Sequence, residues 1–418
     1  MKKITITNAY TWYNKGDAGI LLGIVNTLKQ IYNNDIEINI LSFTPEEDKK
    51  RYCQDNCIKD VYNNILNPHP YKHTKCGKIT AVIKLIFRAI YLYFSIIFNK
   101  KRLIEKDDAF KVMNDCDIIV VCGGGFLGGK KYDSLMHVFQ IWANTKMDKP
   151  VIMMGASIEP IKKKIIQTLT EKVLKKVDYV YARETITYDY LKTFLPAEKY
   201  TLIPDMAFML EDKKEEMDLI KNIKSQFDVI FGITVRKWNF PNLTISASEA
   251  MDNYKKSIAE VITKYAKEKN AGFIFVPQVI VEHGDDTQTA IEIRELLDDK
   301  LKNNFVILND DISPVEVKQM IWNFDYFVGT RMHSNIFATS MGIPTVAIAY
   351  EKKTNGIMET VGLQNYIVEI DDITPDKLFN KIEMSLNNDE TIRNNLKVRI
   401  SEIRIEIMNK VSKVFSKL

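Results

Sequence analysis

Five cysteines in 418 residues, an odd number in a large chain, furnish no disulfide framework and point to a reducing compartment. Charge of one sign is also lacking. The 58 Lys and Arg stand against 54 Asp and Glu, which gives no reason to invoke nucleic acid as a partner. No internal repeat of solenoid length is present. The opening MKKITITNAY has no apolar h-region and enters an alternating strand, so no secretory leader is expected and the protein is expected in the cytoplasm. No cluster of metal ligands stands out. The nearest approach, Cys53-x3-Cys57 followed by His69-x3-His73, has zinc-finger spacing, but its gap is short and Pro68 and Pro70 fall where a recognition helix would sit. A loop with chance cysteines is the better account.

Two nucleotide-loop signatures are missing as well. Gly124, four intervening residues and then Gly129-Lys130 approximate a phosphate loop. The next residue is Lys131, so the hydroxyl that would hold magnesium is absent and an ATPase is rejected. No Gly-x-Gly-x-x-Gly with a downstream acid stands out, which weakens a dehydrogenase reading. The glycine run, including Gly124 and Gly125, would still let a ligand or another backbone approach closely.

What is present is strand and helix in alternation, twice over, in a chain of ordinary hydrophobic content (46%) that is long enough for two domains. Strands are expected at Lys3 to Thr7, Glu37 to Phe43, Asp117 to Cys122, Val151 to Met154 and Tyr179 to Ala182. A second series is expected at Asp228 to Val235, Gly272 to Val276, Phe305 to Leu308, Tyr326 to Val328 and Thr345 to Ala349. Such alternation implies parallel sheets with right-handed crossovers. The charged stretch Glu211 to Asn222 reads as the linker. The expected organisation is an N-terminal Rossmann-like domain at 1–215, a C-terminal one at 216–375, and helices at 376–418 packing back on the first.

One run departs from this pattern. Ile79 to Phe98 is mostly large and apolar, yet Lys84 and Arg88 near its centre argue against a crossing helix. Two readings stand: a helix lying in the membrane interface, with Asn99-Lys100-Lys101-Arg102 near anionic head groups, or a buried crossover helix with snorkelling charges.

The chemistry concentrates at strand ends. A strand ending at Val328 runs into a turn carrying Arg331 and His333, then a helix of small residues. Arg331 can fork onto a carboxylate or phosphate, and His333 can move a proton near neutral pH. Alternatively Arg331 caps a loop and His333 is an interior histidine. Asp17, in the first strand-to-helix loop, can contact a sugar hydroxyl or act as a base with Asn14 orienting it, or can cap the helix expected from Ala18. Arg236 ends the first strand of the second series, as a ligand for an anion or as a surface ion pair. Gln278 and His283 occupy another loop of that series, where Asp285 or Asp286 is as well placed to cap a helix. Lys353 offers one more cation, for phosphate or for solvent. Arg183 ends a first-domain strand and can meet an acceptor or its leaving diphosphate. Trp12 and Trp238 near these loops can stack on sugar rings or simply pack.

The segment 329–350 (GTRMHSNIFATSMGIPTVAIAY), with NKGDAG at 14–19, VVCGGGFLGG at 120–129, GASIEP at 155–160, ARET at 182–185, PDMAF at 204–208 and FVPQ at 275–278, resembles the polysaccharide pyruvyltransferase family. The resemblance implies two Rossmann-like domains facing across a cleft, as in glycosyltransferase-B enzymes. It also implies transfer of a pyruvyl group from phosphoenolpyruvate to a sugar of a cell-surface polysaccharide or its precursor, giving a pyruvate ketal without a cofactor or metal. His333 is then the acid and Asp17 the acceptor-side base. Arg331, Arg236, Lys353, Gln278 and His283 bind the donor, and Asn14, Gly124, Gly125 and Arg183 face a glycan or lipid-linked acceptor. The place implied is the cytoplasm, with peripheral contact to the inner face of the cytoplasmic membrane. Two other functions fit the strand-end residues: a nucleotide-sugar glycosyltransferase of the same architecture, and a non-catalytic partner in a glycan assembly complex.

Overall fold

The structure, a computed structural model, describes residues 1–55, 57–67, 75–128, 133–280, 286–308 and 310–418. His69, His73, Gly129, Lys130 and His283 lie outside the described residues. The Val/Ile-rich runs become parallel strands because helices cover both faces of each sheet, so continuous apolar runs are buried on both sides. In the first sheet these are β1 (Lys2–Ala9), β2 (Ile36–Ser42), β3 (Ile58–Asn63), β4 (Ile118–Val121), β5 (Gly124–Leu127), β6 (Val151–Ile158), β7 (Tyr179–Ala182) and β8 (Tyr200–Leu202). Their order is β3-β2-β1-β4-β6-β7-β8, with β5 paired to β6. The second sheet holds β9 (Val229–Thr234), β10 (Ala271–Phe275), β11 (Phe305–Ile307), β12 (Tyr326–Gly329), β13 (Thr345–Ala349) and β14 (Ile367–Glu369), in the order β11-β10-β9-β12-β13-β14.

Both sheets therefore step outward from a first strand in one direction and then in the other, which is the Rossmann order. The reversal lies between β1 and β4 in one sheet and between β9 and β12 in the other. Ligands of open α/β sheets bind beyond the carboxyl ends of the strands at that switch point. In the second sheet it is flanked by the residues following Thr234 and Gly329, which are register partners.

Four strands were not legible in the sequence. β3 carries Lys59 and Asp60, β5 opens on two glycines, and β8 and β14 have three residues each, too few to show a period.

The chain groups into two compact units. One comprises Met1–Trp12, Ile20–Met209 and Glu406–Leu418; the other comprises Tyr13–Gly19 and Leu210–Ile405. The division differs from the sequence expectation at both ends. The NKGDAG loop, expected in the first domain, belongs to the second unit. Of the terminal helices, expected on the first domain from 376 onward, only residues from Glu406 join it; there Lys410 Nζ donates to Leu202 O at 2.8 Å. The supposed linker is likewise anchored within the second unit. Asp212 accepts from Arg404 at 2.7 and 2.8 Å and pairs with Lys318, whose Nζ also donates to Leu210 O. Burial of Asp212 works to raise its pKa, but Arg404 and Lys318 prevail and hold it at about 2. Burial pushes the Lys318 ammonium down to about 8.

The helix Lys75–Phe98 bears on one of its two readings. Ala81, Leu92 and Ile96 are buried in the first unit's core, whereas Ile83, Phe87, Ile90, Phe94 and Ile97 are exposed. It is not a buried crossover helix.

Candidate functional site

Hydroxyls fix the turn after β12. Thr234 Oγ1, at the end of β9, accepts from the backbone N–H groups of Thr330 (3.1 Å) and Arg331 (3.3 Å) and lies 2.8 Å from Ser334 Oγ. Ser334 donates to Arg331 O at 2.6 Å, and Thr330 Oγ1 meets the buried Tyr254 hydroxyl at 2.8 Å. Only glycine fits at 329, since a Cβ there would stand 1.7 Å from Asn335 Oδ1. The helix Met332–Ser340 then begins with Arg331 just before it and His333 in its first turn.

Arg331 does not cap the loop through its side chain. Its Nε and Nη2 donate to Asp286 Oδ2 and Oδ1 at 2.9 and 2.5 Å, and Asp286 is buried as the first residue of the helix Asp286–Glu295. Burial disfavours the guanidinium charge, yet Asp286 raises the Arg331 pKa above its ordinary value. The side-on pairing takes Nε and Nη2 and leaves Nη1 without a hydrogen bond among the described residues. Arg236, two residues past the end of β9 across the switch point, makes no ion pair among the described residues. Its Cζ sits 4.0 Å from the Tyr350 ring centre and 4.8 Å from that of Trp238. Burial, and then the charge of Arg331, lower its pKa. One guanidinium is thus held by a buried carboxylate, while the other, near Asp286 and Glu351, lies against aromatic rings and within reach of an anion. Lys353 lies in the first turn of the helix Lys352–Thr360, its Nζ 4.0 Å from Glu351.

The NKGDAG loop joins the same unit edge. Asn14 bridges Val279 antiparallel, Lys15 N donates to Gln278 O at 2.9 Å and Ile280 N donates to Tyr13 O at 3.0 Å. The Lys15 side chain is fully buried and pairs with Asp311 at 2.6 Å. The imidazole of His333 lies directly against Gly16, where a Cβ would come within 2.2 Å of Nδ1. The helix starts at Lys15 rather than Ala18, and the capping acceptor is Asn14 Oδ1, which takes the N–H groups of Gly16 and Asp17. Asn14 Nδ2 donates to Asp17 Oδ2 at 2.6 Å, fixing the carboxylate that the sequence had offered as the cap. Gln278 is buried, and its Oε1 has no hydrogen-bond partner among the described residues. Asn14, Asp17, Gln278, Arg331 and His333 are therefore linked through short contacts within one unit.

In the first unit, packing fixes part of the glycine run and the Arg183 side chain. Gly123 faces the β6 backbone, where a Cβ would stand 2.3 Å from Met154 O, and Gly128 (φ 100°) would meet Glu159 O at 2.1 Å. Gly124 is buried in β5 opposite Ala156, while Gly125 is exposed. Arg183 Nη1 donates to the buried Asp205 at 2.8 Å and Nε to Ser157 Oγ at 2.7 Å, so its guanidinium braces the PDMAF turn. Trp12 is buried edge-on against Tyr52.

Two residues escaped the sequence reading. Asp286 was offered only as a helix cap; its partner is 45 positions away and no local signal announces it. His137 carried no motif. It is buried beside the β1 end, stacked 4.5 Å from Phe126, with Asn8 Nδ2 3.2 Å from Nδ1 and Tyr10 OH 3.3 Å from Nε2. Burial pushes its pKa down to about 4.

Residues 14–352 match the polysaccharide pyruvyl transferase family, and the chain belongs to that family. It is 23% identical to the amylovoran biosynthesis protein AmsJ of Erwinia amylovora over 98% of each chain. Among solved structures it resembles the UDP-GlcNAc 2-epimerase of Methanocaldococcus jannaschii, with a TM-score of 0.57, 16% identity and 93% of each chain covered. It also resembles UGT73P12 of Glycyrrhiza uralensis, with a TM-score of 0.59, 8% identity and 100% and 96% covered. At such identities the likeness concerns fold, an α/β chain of two Rossmann-like units of the glycosyltransferase-B class.

Proposed function

We propose that this member of the polysaccharide pyruvyl transferase family takes the pyruvyl unit of phosphoenolpyruvate and sets it as a ketal on a sugar of a cell-surface polysaccharide or its precursor. The observation that carries the reading is the pair Arg236 and Arg331 at the switch point of the second sheet, where Asp286 holds Arg331 and leaves Arg236 without an ion pair among the described residues. A donor bearing a carboxylate and a phosphate on adjacent positions suits two guanidinium groups better than one.

The chemistry follows from the residues nearby. A proton delivered to the donor methylene carbon, for which His333 is the candidate, leaves a cationic carbon bearing the carboxylate and the phosphate ester. One sugar hydroxyl adds to it and loses its proton, for which Asp17 is the candidate base. Departure of inorganic phosphate restores the cationic carbon, and the second hydroxyl closes the ring, its proton passing to the departed phosphate. Donor and diol thus give ketal and phosphate, and the guanidinium groups offset charge on the leaving phosphate. Lys353 is a further candidate for the phosphate, and Gln278 and Asn14 for orienting the reactants.

The test is incubation of the protein with phosphoenolpyruvate and glycan acceptors. We expect release of inorganic phosphate coupled to a pyruvyl mass gain on the acceptor. The likeness to an epimerase of a nucleotide sugar favours a second reading, nucleotide-sugar glycosyl transfer. Glycosylated product from a nucleotide sugar, with no phosphate released from phosphoenolpyruvate, would install it instead.

A further inference from the structure

We infer that the helix Lys75–Phe98 is a docking element that lies in the head-group layer of an anionic lipid surface. Helical spacing places Ile83, Phe87, Ile90, Phe94 and Ile97 on one stripe, with Ile86 and Phe98 beside it. These side chains are exposed, Phe87 at 68% and Phe98 at 78%. A water-facing helix normally carries charge on that stripe. Here that stripe is wholly apolar, with the exposed Lys84 at its edge, and larger than the scattered exposed hydrophobics any soluble surface shows.

The opposite stripe decides between spanning and lying flat. Ala81, Leu92 and Ile96 are buried in the first unit, Leu85 and Ala89 pack against its core, and Arg88 is paired with Asp107. Although the segment Thr80–Phe98 is long and apolar enough to cross a bilayer, one flank is fixed to the protein, so lipid can reach only the other.

Charge selects the occupant. Between residues 71 and 106 the sequence places Lys72, Lys75, Lys78, Lys84, Arg88, Lys100, Lys101, Arg102 and Lys106 against the single acid Glu105, in a chain otherwise near balance. Lys101 and Arg102 are exposed immediately after the helix. An apolar face flanked by cations matches a bilayer with anionic head groups. A second copy of the same basic surface would instead be repelled. Tyr91 and Tyr93, exposed on the flanks, have the amphipathic rings suited to that depth.

The experiment is co-sedimentation of the full chain with vesicles of phosphatidylcholine, alone or with phosphatidylglycerol. We expect pelleting that depends on phosphatidylglycerol and weakens with added salt. The double variant Lys101→Gln, Arg102→Gln should bind about 30-fold more weakly, since each basic residue near such a surface is worth roughly fivefold. Phe87→Ser with Phe94→Ser, both pointing away from the core, should abolish pelleting while circular dichroism and melting stay those of the wild type. The inference is overturned if the wild type stays in the supernatant with both vesicle types. It is equally overturned if the phenylalanine variant pellets unchanged, or if the face holds a solution dimer that this variant dissociates and vesicles do not compete for. None of these readouts depends on the donor, so the proposed reaction stands or falls separately.

Discussion

Asp286 grips Arg331 through Nε and Nη2, two hydrogen bonds from one edge of the guanidinium, and so decides which edge remains for a ligand. An arginine held this way is preorganised: its planar fork cannot rotate, and less side-chain freedom is lost when an anion arrives. Asp286→Asn keeps the shape but removes the charge, and should weaken phosphoenolpyruvate binding by about tenfold, the order of 1–2 kcal/mol for one charge-assisted bond. Titration of the donor by calorimetry checks this; unchanged affinity would mean that Asp286 braces the fold and does not tune the site.

Gly16 carries a second consequence. A methyl group there would overlap the imidazole of His333. Gly16→Ala sits in the first turn of a helix, where alanine is otherwise welcome, so the expected effect is a displaced His333 and a loss of turnover of about 100-fold, the usual contribution of a positioned acid or base. Near-native melting with lost activity supports this placement. Full activity in the alanine variant would remove His333 as the proton donor.

His137 should make the first unit acid-sensitive. Its folded pKa is depressed to about 4 from an ordinary 6.5, so between those values the unfolded chain binds more protons than the folded one. Stability must then fall as pH drops through that window, by roughly 3 kcal/mol for about 2.5 units. Denaturant melts of wild type and His137→Phe at pH 7 and pH 4.5 test the sign. The variant should lose less stability on acidification; an equal loss in both would show that His137 titrates normally.

Arg183 distinguishes bracing from binding. With its guanidinium on the buried Asp205 and on Ser157, Arg183→Ala leaves a buried acid without its principal cation and should cost about 3 kcal/mol in stability. Phosphoenolpyruvate affinity in the folded fraction should be unchanged.

The sequence revealed the fold where strands were long and apolar. β1, β4, β6, β9, β10 and β13 read directly from buried Val/Ile runs, and their alternation with helices fixed the parallel class. β8 and β14 were not visible because three residues define no period and pairing alone makes them strands. Among site residues, the local motifs read well: Arg331 and His333 sit at a strand end and a helix start, as their spacing required. The partners did not. Asp286 finds Arg331, and Gly16 finds His333, only because β9, β12 and the loop at 278–280 bring distant segments to one sheet edge. Asn14 took the capping role assigned to Asp17 because the helix begins three residues earlier. That start lies next to the Asn14–Val279 bridge, a tertiary contact that no local pattern announces.

The most direct test of the central claim is calorimetric titration of phosphoenolpyruvate into the wild type and into Arg331→Ala and Arg236→Ala. We expect saturable binding by the wild type and a loss of tenfold or more in each variant, since each removes one cation that would pair with the donor. No heat of binding in the wild type, together with saturable uptake of a nucleotide sugar, would contradict the account and reassign the two arginines to a diphosphate.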